Sequence, residues 1–388
     1  MPIASGKYSM QGQMLTFPRV EADGTVEFFG PPPQTKRSKP LAPLCGTQTK
    51  RKVDLADLTP DGPQLPERRV RQRLAGTSVG VMDVGQGNCN MLIDGEHPTV
   101  YFDTGYPLRF YSRSAPGPVY RPVPGTPSGP IAQNAAGNLE VILSHWDWDH
   151  WRLAVKWPEL QQLHWIVPKQ VIGASARNFY EGLPNRHRLP RSREPRMLNI
   201  HTPNYRLCTC HPGPHARADK IQNNTGLGMA VQATLPSPGQ PGQRAVVLLT
   251  ADANFSSLPV ELTGLPNIAG ITAVHHGSDA NGAAEALPEP QEGIGGGRIA
   301  YSYGCGPPPE RKHPYGFPKE TAKTKYEEAN WGEEPGTANS TAQGPNINQN
   351  GIVPPKRGNV RMGDPTALNQ QQYGNTAFAT FPPENRLS

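Results

Sequence analysis

Residues 144–151 read SHWDWDHW, and they follow the apolar run LEVIL at 139–143. A short apolar run of this kind is typical of a strand that is buried on both faces of a sheet. The stretch carries two imidazoles and two carboxylates, at His145, Asp147, Asp149 and His150. These groups are ligands of borderline and hard divalent metal ions. The stretch therefore predicts a metal site at the end of a strand, and the alternative is a polar surface loop.

Two later apolar runs also end in carboxylate or imidazole side chains. AVVLLTAD (245–252) ends at Asp252, and NIAGITAVHHGS (267–278) delivers His275 and His276. Together with the first stretch, this makes more donor groups than a single ion needs. The runs therefore predict a pair of metal ions, about 3.5–4 Å apart, that share one carboxylate.

The order of the segments indicates a layered α/β protein. Strands are predicted within 77–94, 98–105, 164–171, 229–235 and 297–306, and DHWRLAVKWPELQQL (149–163) has apolar residues at helical spacing. MLTFPRVEADGTVEFFG (14–30) predicts a small hairpin around Asp23-Gly24. Strands that end in Asp or His, with helices between them, place the site at the strand ends of an α/β sheet.

The composition divides the 388 residues into three predicted parts. Residues 1–75 form a basic, Pro-rich N-terminal appendage, residues 76–335 form the folded domain, and residues 336–388 form a Gly/Asn/Pro-rich C-terminal tail. The net charge of +6 permits an anionic partner without requiring one.

Several features predict a cytoplasmic protein that does not enter a membrane. No apolar run approaches the roughly 18 residues of a membrane span, and the N-terminus has no apolar signal segment. The five cysteines are an odd number without the spacing of a disulfide framework, which suits a reducing compartment.

Six short motifs in a fixed order carry a family resemblance: DVGQG (83–87), HWDWDH (145–150), NNTG (223–226), LLTAD (248–252), HHGS (275–278) and KHP (312–314). In this order they resemble the metallo-β-lactamase fold and, more narrowly, the hydrolase domain of ComEC-type DNA-uptake (competence) proteins. The resemblance covers roughly residues 77–335 and so makes the predicted domain 76–335 a metallo-β-lactamase-like hydrolase domain. It implies an αββα sandwich with a two-metal hydrolase site at one edge.

The resemblance also implies a role for each candidate ligand. His145 and Asp147 would bind the first metal, Asp149 and His150 the second, and Asp252 would bridge the two. One histidine of the pair His275 and His276 would complete the second site, with His275 the preferred candidate. The ions would be Zn²⁺ or Mn²⁺.

Three further residues match supporting positions of the family. Asp83 and Asp103 would contact the metal ligands, and not the ions, and so fix the orientation of those ligands. His313 would contact the scissile group or act as an acid.

The sequence departs from the wider family at several positions. Asp147 replaces a histidine, as in the DNA-uptake branch, and the extra carboxylate shifts the metal preference towards Mn²⁺. The loop is followed by Trp151-Arg152 in place of Gly-Gly, and Ala251 stands where glycine is usual. The family's further first-site histidine has no clear counterpart, and His211 is the best-placed candidate. The membrane channel of DNA-uptake proteins has no counterpart, which excludes uptake itself as the function.

Aromatic and basic side chains near the loop suggest how a substrate would bind. Trp146 and Trp148 either line the mouth, where they would stack on a base or sugar, or pack in the core. Arg186, Arg188 and Arg191 belong to the basic segment NRHRLPRSREPR (185–196) and either contact phosphate or form a solvated loop. CTCHPGPH (208–215) lacks the usual spacing of a zinc site, which favours a plain loop.

These observations lead to three functional hypotheses. The first is a metal-dependent phosphodiesterase, a nuclease acting on DNA through a two-metal-activated hydroxide with Asp149 and His313 in catalytic roles, and regulated within a larger complex. The second is a hydrolase of a small ester, lactone or phosphoester, because the same metals serve both chemistries. The third is a non-catalytic binding component whose N-terminal appendage docks a protein partner.

Overall fold

The computed structural model describes only part of the chain. The described residues are 9–10, 13–14, 18–20, 26–28, 53–54, 77–82, 84–94, 97–107, 139–189, 194–198, 202, 204–212, 222–237, 240–278, 287–290, 297–303, 317–332, 338–340, 344–345 and 360–363. Three predicted site residues, Asp83, Arg191 and His313, lie outside them.

The described strands, in chain order, are β1 Ser9–Met10, β2 Gln13–Met14, β3 Pro18–Val20, β4 Val26–Phe28, β5 Val53–Asp54, β6 Thr77–Val81, β7 Asn90–Asp94, β8 His97–Phe102, β9 Glu140–Ile142, β10 His164–Pro168, β11 Val171–Ile172, β12 Arg186–Leu189, β13 Arg196–Met197, β14 Tyr205–Thr209, β15 Leu227–Ser237, β16 Gln240–Leu249, β17 Ile268–Thr272, β18 Arg298–Tyr301, β19 Ala338–Ser340, β20 Gly344–Pro345 and β21 Val360–Gly363. The described α-helices are α1 Arg152–Lys156, α2 Ala174–Gly182, α3 Val260–Thr263 and α4 Glu320–Glu328. Short 3₁₀ helices lie at Trp148–His150, Pro158–Gln162, Asn223–Thr225, Phe255–Ser257 and Val274–Gly277.

Two mixed sheets form the body of the protein. The first has seven strands in the order β12-β10-β9-β8-β7-β6-β21, with β8, β9, β10 and β12 parallel to one another. The second has eight strands in the order β13-β14-β15-β16-β17-β18-β19-β20, with β16 to β19 parallel. Parallel neighbours end at the same edge of a sheet, so β9, β16 and β17 deliver the residues that follow them to strand ends of the kind where α/β proteins build their sites.

The two sheets pack face to face through a continuous apolar core. Val81, Phe102 and Ile142 of the first sheet belong to the same buried cluster as Met229 and Leu249 of the second. All five side chains are 1% exposed or less. Their alternation along each strand leaves the opposite faces to be covered by helices.

Helices cover both outer faces. On the first sheet, the outer cluster joins strand residues to the helical segments through Val141, Trp165, Leu153, Trp157, Leu160 and Tyr180. On the second, it joins strand residues to α3 and α4 through Leu248, Ile271, Leu262, Ala322 and Tyr326. Three apolar layers between four layers of secondary structure make an αββα sandwich, so the fold implied by the resemblance is confirmed.

The local predictions agree with the structure except around Trp157. β3 and β4 form the expected antiparallel hairpin, with Val20 opposite Val26. The predicted helix over 149–163 is instead α1 followed by the 3₁₀ helix Pro158–Gln162. Pro158 has no backbone N–H to continue an α-helix, so the segment bends there while Trp157 stays fully buried.

Three described strands that follow residue 335, β19, β20 and β21, extend the two sheets. β21 pairs antiparallel with β6, and β19 pairs in parallel with β18. Met362 of β21 is 1% exposed and lies in the inter-sheet core. The segment predicted as a tail therefore contributes packed strands, while the three domain boundaries stay predictions. Among the described residues, no helix combines the length and apolar character needed to cross a bilayer.

Candidate metal centre

The stretch that carries four of the candidate ligands is a tight loop between β9 and α1. Its second half is the 3₁₀ helix Trp148–His150, in which the N–H of His150 donates to the carbonyl of Asp147 at 3.0 Å. A short helical turn brings side chains three residues apart to the same side. The chain therefore presents His145, Asp147, Asp149 and His150 from one compact segment.

The loop meets the ends of β16 and β17 at two groups of donor atoms. The first group is His145, His150 and Asp252, and the second is Asp149, His150 and His276; within each group all donor atoms lie within 4.8 Å of one another. Asp252 follows β16, and His276 follows β17. Three strand ends that are far apart in the sequence therefore converge, as the motif order implied.

Asp252 lies between the donors of the loop and those of the HHGS segment. Its Oδ1 is 3.4 Å from Nε2 of His150, and its Oδ2 is 3.9 Å from Nε2 of His145 and 3.5 Å from Nε2 of His275. Nε2 of His276 instead faces Oδ2 of Asp149, at 3.5 Å. The two histidines of the pair therefore approach different carboxylates, and His276 belongs to the second donor group.

The buried atoms of the cluster fit divalent metal ions. Nε2 of His145, His150 and His276 and Oδ1 of Asp252 are buried and make no hydrogen bond to the described part of the chain. An unpaired buried polar atom costs about 1–3 kcal/mol. A bound cation would therefore stabilise the four unpaired atoms that meet here. Imidazole nitrogens and carboxylate oxygens with free lone pairs are the donor set of Zn²⁺ and Mn²⁺ sites.

The opposite ring nitrogens of the same histidines are held by the protein. Nδ1 of His150 lies 2.9 Å from Oδ2 of Asp103, and Nδ1 of His276 lies 2.6 Å from the carbonyl oxygen of Ser302. Both partners accept a hydrogen bond, so Nδ1 of both rings carries a proton, and Nε2, which faces the cluster, is the nitrogen that would bind an ion. This is the arrangement that orients metal-ligating histidines.

Charges within the cluster shift several ionisations of the metal-free protein. Burial alone lowers the pKa of His150, but the carboxylates of Asp252 and Asp103 raise it well above its usual value. Burial alone raises the pKa of Asp252, but the neighbouring imidazoles of His275 and His150 hold it well below its usual value. The pKa of His276 is raised and that of Asp149 is lowered by the contact between them, against the effect of burial. In the metal-free protein these contacts therefore favour the protonated imidazoles of His150 and His276 and the ionised carboxylates of Asp149 and Asp252.

The backbone around the cluster adopts uncommon conformations. His275 and His276 have φ of 47° and 59°, and Gly277 follows with φ of 85°. Ala251, beside Asp252, has φ of 52°. A left-handed conformation costs a residue other than glycine roughly 1–2 kcal/mol, and such strain is concentrated at functional sites. Here it aims consecutive imidazoles at two different carboxylates.

The structure separates the two tryptophans of the loop. Trp146 is 3% exposed, packs edge-on against Trp151 and Tyr180, and donates its indole N–H to the carbonyl of Pro168 at 3.0 Å. Trp146 is therefore a core residue, and its burial contradicts the alternative in which it lines the opening of the metal site. Trp148 is partly exposed, with the guanidinium of Arg152 5.2 Å from its ring centre.

The three described arginines of the basic segment differ in exposure. The Arg186 guanidinium donates to the carbonyls of Glu181 and Leu183 at the end of α2 and lies 4.8 Å from the centre of the Tyr180 ring, and the side chain is partly exposed. Arg188 is 7% exposed, whereas Arg196 is exposed. A phosphate contact from this segment stays a prediction. Cys208 lies in β14, and neither His211 nor the two cysteines before it belong to a donor group among the described residues.

Three residues that hold the loop were missed from the sequence. Ser144 contacts Asp103 and both nearby histidines, Ser302 accepts from His276, and Gln170 binds the backbone of Trp146. Ser144 begins the quoted stretch, and its position directly before the first histidine was the only available signal. Ser302 acts through its own backbone carbonyl, and the side chain of Gln170 binds a backbone N–H. No sequence motif reveals the positions of such backbone groups.

Comparison with known proteins gives structural likeness alone. No family model matches the sequence, and no curated protein matches it. Among solved structures, the chain is similar to the metallo-β-lactamase-fold protein YhfI from Bacillus subtilis (13% identity, TM-score 0.25, covering 50% of this chain and 71% of that one). It is also similar to Zn²⁺-bound PqqB from Methylobacterium extorquens (11%, 0.30, 50% and 71%) and to MEM-A1, a subclass B3 metallo-β-lactamase from a soil metagenome (12%, 0.27, 56% and 83%). Likenesses at these TM-scores carry no conclusion about activity.

The layers and the donor groups together define the class of protein. The chain is an α/β protein with an αββα sandwich, and candidate metal-binding residues converge at the strand ends of its two sheets.

Proposed function

We propose that the chain is a metal-dependent hydrolase that holds two divalent ions and cleaves phosphodiesters, with DNA as its substrate class. The observation that carries this proposal is the position of Asp252, whose two oxygens face His150 on one side and His145 on the other. A carboxylate with an imidazole at each oxygen is suited to joining two ions. Bound divalent ions would supply a water molecule of lowered pKa and neutralise the charge that develops on a phosphoryl group.

Some residues of the site would bind the ions, and others orient those ligands. His145 and Asp147 would hold one ion, Asp149, His150 and His276 the other, with Asp252 between them. Asp103, through His150, and Ser302, through His276, fix the ring orientations from behind. Because these supports are buried, the donors keep their positions without a ligand, which is the preorganisation that electrostatic catalysis depends on.

The accessible side of the cluster supports a nucleic-acid substrate. The side chains of Asp147, Asp149 and His275 are 42%, 20% and 24% exposed, so the cluster opens to solvent on their side. Trp148, between the two aspartates in the sequence, is partly exposed and offers an indole for stacking on a base. The backbone N–H of Lys319 donates to the carbonyl of Gly277. Its Nζ lies 5.9 Å from the centre of the Phe317 ring, which lies 6.2 Å from the ring of His275, and this cation would meet a phosphate.

The test begins with elemental analysis of the purified protein, followed by labelled single- and double-stranded DNA in Mn²⁺ or Zn²⁺. We expect about two ions per chain and DNA cleavage that the double substitution Asp149→Ala with His150→Ala abolishes. Trp148→Ala should weaken DNA binding by about 5- to 100-fold, the worth of one stacked base, and Trp148→Phe should retain most of it. Absence of cleavage with every metal, or undiminished cleavage by the double variant, contradicts the proposal.

The same panel separates the remaining alternatives. Hydrolysis of small esters, lactones or phosphoesters without any action on DNA would retain the metal-dependent hydrolase and reject DNA. A protein that binds no metal, hydrolyses nothing and copurifies with a partner would be a non-catalytic component of an assembly, with the basic N-terminal appendage its docking segment.

A further inference from the structure

Asp103 is a buried acceptor that receives three hydrogen bonds from the metal loop. Its Oδ1 accepts the backbone N–H of Ser144 at 2.6 Å, and its Oδ2 accepts the Ser144 hydroxyl at 2.7 Å and Nδ1 of His150 at 2.9 Å. Asp103 is fully buried and has φ of 68°, an uncommon conformation that turns its carboxylate to the loop. The carboxylate therefore fixes both the backbone and one ring of the loop.

The hydroxyl of Ser144 has a single proton, and that proton is already committed. A carboxylate accepts and cannot donate, so the 2.7 Å contact uses the serine proton. The hydroxyl oxygen keeps its lone pairs, and Nδ1 of His145 lies 3.0 Å from it. The contact therefore requires His145 to carry its proton on Nδ1, which leaves Nε2 bare towards Asp252.

Ser144 is thus a relay between the two loop histidines. The chain of donors runs from Nδ1 of His145 to the hydroxyl of Ser144 and from there to Asp103, which also receives Nδ1 of His150. Hydrogen bonds in series polarise one another in a buried setting, and Ser144 is 1% exposed. A change in the charge of one ring reaches the other through two side chains, those of Ser144 and Asp103.

We propose that Ser144 is a positioning residue that sets the tautomer of His145 and couples the two metal positions through Asp103. This inference rests on the proposed pair of ions. The hydroxyl of Ser144 is the acceptor for Nδ1 of His145 at 3.0 Å. The same oxygen lies 3.3 Å from Nδ1 of His150, but that ring keeps its shorter 2.9 Å bond to Asp103 when the hydroxyl is removed. Loss of the hydroxyl should therefore affect the two ions unequally.

The experiment compares metal titrations of the metal-free full chain, followed by calorimetry with Zn²⁺ and by the EPR signal of free Mn²⁺. For Ser144→Ala we expect one equivalent with near wild-type affinity and one weakened about 10- to 100-fold, the usual effect of removing a group that orients a metal ligand. Ser144→Thr restores a hydroxyl and should restore the weakened equivalent. Ser257→Ala removes another buried serine, outside the cluster, and should leave both equivalents unchanged.

A second variant keeps the inference testable if threonine does not fit the buried site. Asp103→Asn removes the acceptor that serves both rings, so it should weaken both equivalents. In Zn²⁺-loaded protein with ¹⁵N-labelled histidine, Ser144→Ala should shift the ring resonances of His145 more than those of His276.

The outcomes distinguish this inference from the proposed function. Wild-type protein that binds fewer than two ions overturns the proposed pair of ions and the relay with it. Wild-type protein that binds two ions while Ser144→Ala also binds two with unchanged affinities overturns the relay alone. Equal weakening of both ions in Ser144→Ala, without recovery in the threonine variant, likewise overturns the relay in favour of a general structural role.

Discussion

Oδ1 of Asp252 lies 3.4 Å from Nε2 of His150, and both atoms are buried without a hydrogen bond to the described part of the chain. The two residues are 102 positions apart in the sequence. Their approach depends on the sandwich, because His150 follows a strand of the first sheet and Asp252 a strand of the second. The contact therefore joins the two sheets at the proposed metal centre.

Substitution of Asp252 should abolish the metal pair. Asp252→Asn keeps the shape of the side chain and removes the negative charge that two ions would share. We expect metal content to fall from about two ions per chain to one or none, with hydrolytic activity lost in parallel. The measurement is elemental analysis after dialysis. Glu261→Gln, at an exposed acid of α3, is the matched control and should keep wild-type metal content. Two retained ions in Asp252→Asn would rule out a bridging carboxylate.

Metal binding should release protons and strengthen as the pH rises. The carboxylates of Asp252 and Asp103 raise the pKa of His150 in the metal-free protein, against the effect of burial, so the ring holds a proton that a metal ion must displace. Raising the pH towards that pKa removes the competing proton and favours the ion, whereas lowering the pH opposes it. Titrations with Zn²⁺ in buffers of different ionisation enthalpy measure the release. An observed binding enthalpy that is independent of the buffer would contradict this prediction.

The sequence predicted where Asp252 and His276 would lie because both follow strand ends, while their role as metal ligands stays a prediction. Asp252 and His276 each end an apolar run, and parallel strands bring such ends to one edge of a sheet. The spacing of the loop also determined which side chains share a turn. Neither argument distinguishes His275 from His276, because that choice depends on two consecutive left-handed residues.

The residues that orient the candidate ligands could not be predicted from the sequence in this way. Ser302 acts through its carbonyl, and every residue has one, so its position relative to His276 depends on the pairing of β18 with β17. The sequence also could not predict which of Trp146 and Trp148 is buried and which is partly exposed. In an irregular loop no period assigns side chains to faces, and only the tertiary packing buries Trp146 and leaves Trp148 partly exposed.

Gln170 should prove essential for the stability of the metal loop. Its Oε1 accepts the backbone N–H of Trp146 at 3.1 Å, and its Nε2 donates to the carbonyl of Gln222 at 2.6 Å and to the hydroxyl of Thr225 at 3.0 Å. Gln170→Leu leaves the buried backbone N–H of Trp146 without its acceptor, at about 1–3 kcal/mol, and also removes the two bonds to the partly buried Gln222 and Thr225. The free energy of unfolding in urea measures the loss.

An exposed glutamine provides the control for Gln170→Leu. Gln162, at the end of the 3₁₀ helix before β10, is exposed. Gln162→Leu should therefore change the free energy of unfolding by less than about 0.5 kcal/mol. Equal stability of the two variants would show that Gln170 does not hold the loop.

Gly105 should tolerate no side chain, because it lies against the backbone of the metal loop. A Cβ at this position would overlap the carbonyl oxygen of Asp149 and both the N and O atoms of Asn88. These backbone groups are already paired, the N–H of Gly105 to Asn88 at 2.8 Å and the N–H of Asn88 to Asp149 at 3.1 Å. Relief of the overlap must therefore displace Asp149 and the adjacent His150.

Gly105→Ala should consequently lose metal affinity and activity together. Overpacking of this kind costs about 1–3 kcal/mol of stability, and a displacement of about 1 Å at a catalytic group can lower a rate by about 10²-fold. Gly182, at the end of α2, has no atom within 4 Å of the corresponding Cβ. Gly182→Ala should therefore raise the free energy of unfolding by up to about 1 kcal/mol and leave metal binding unchanged. Metal titrations and urea unfolding of both variants make the comparison, and wild-type metal affinity in Gly105→Ala would show that the loop does not depend on this close approach.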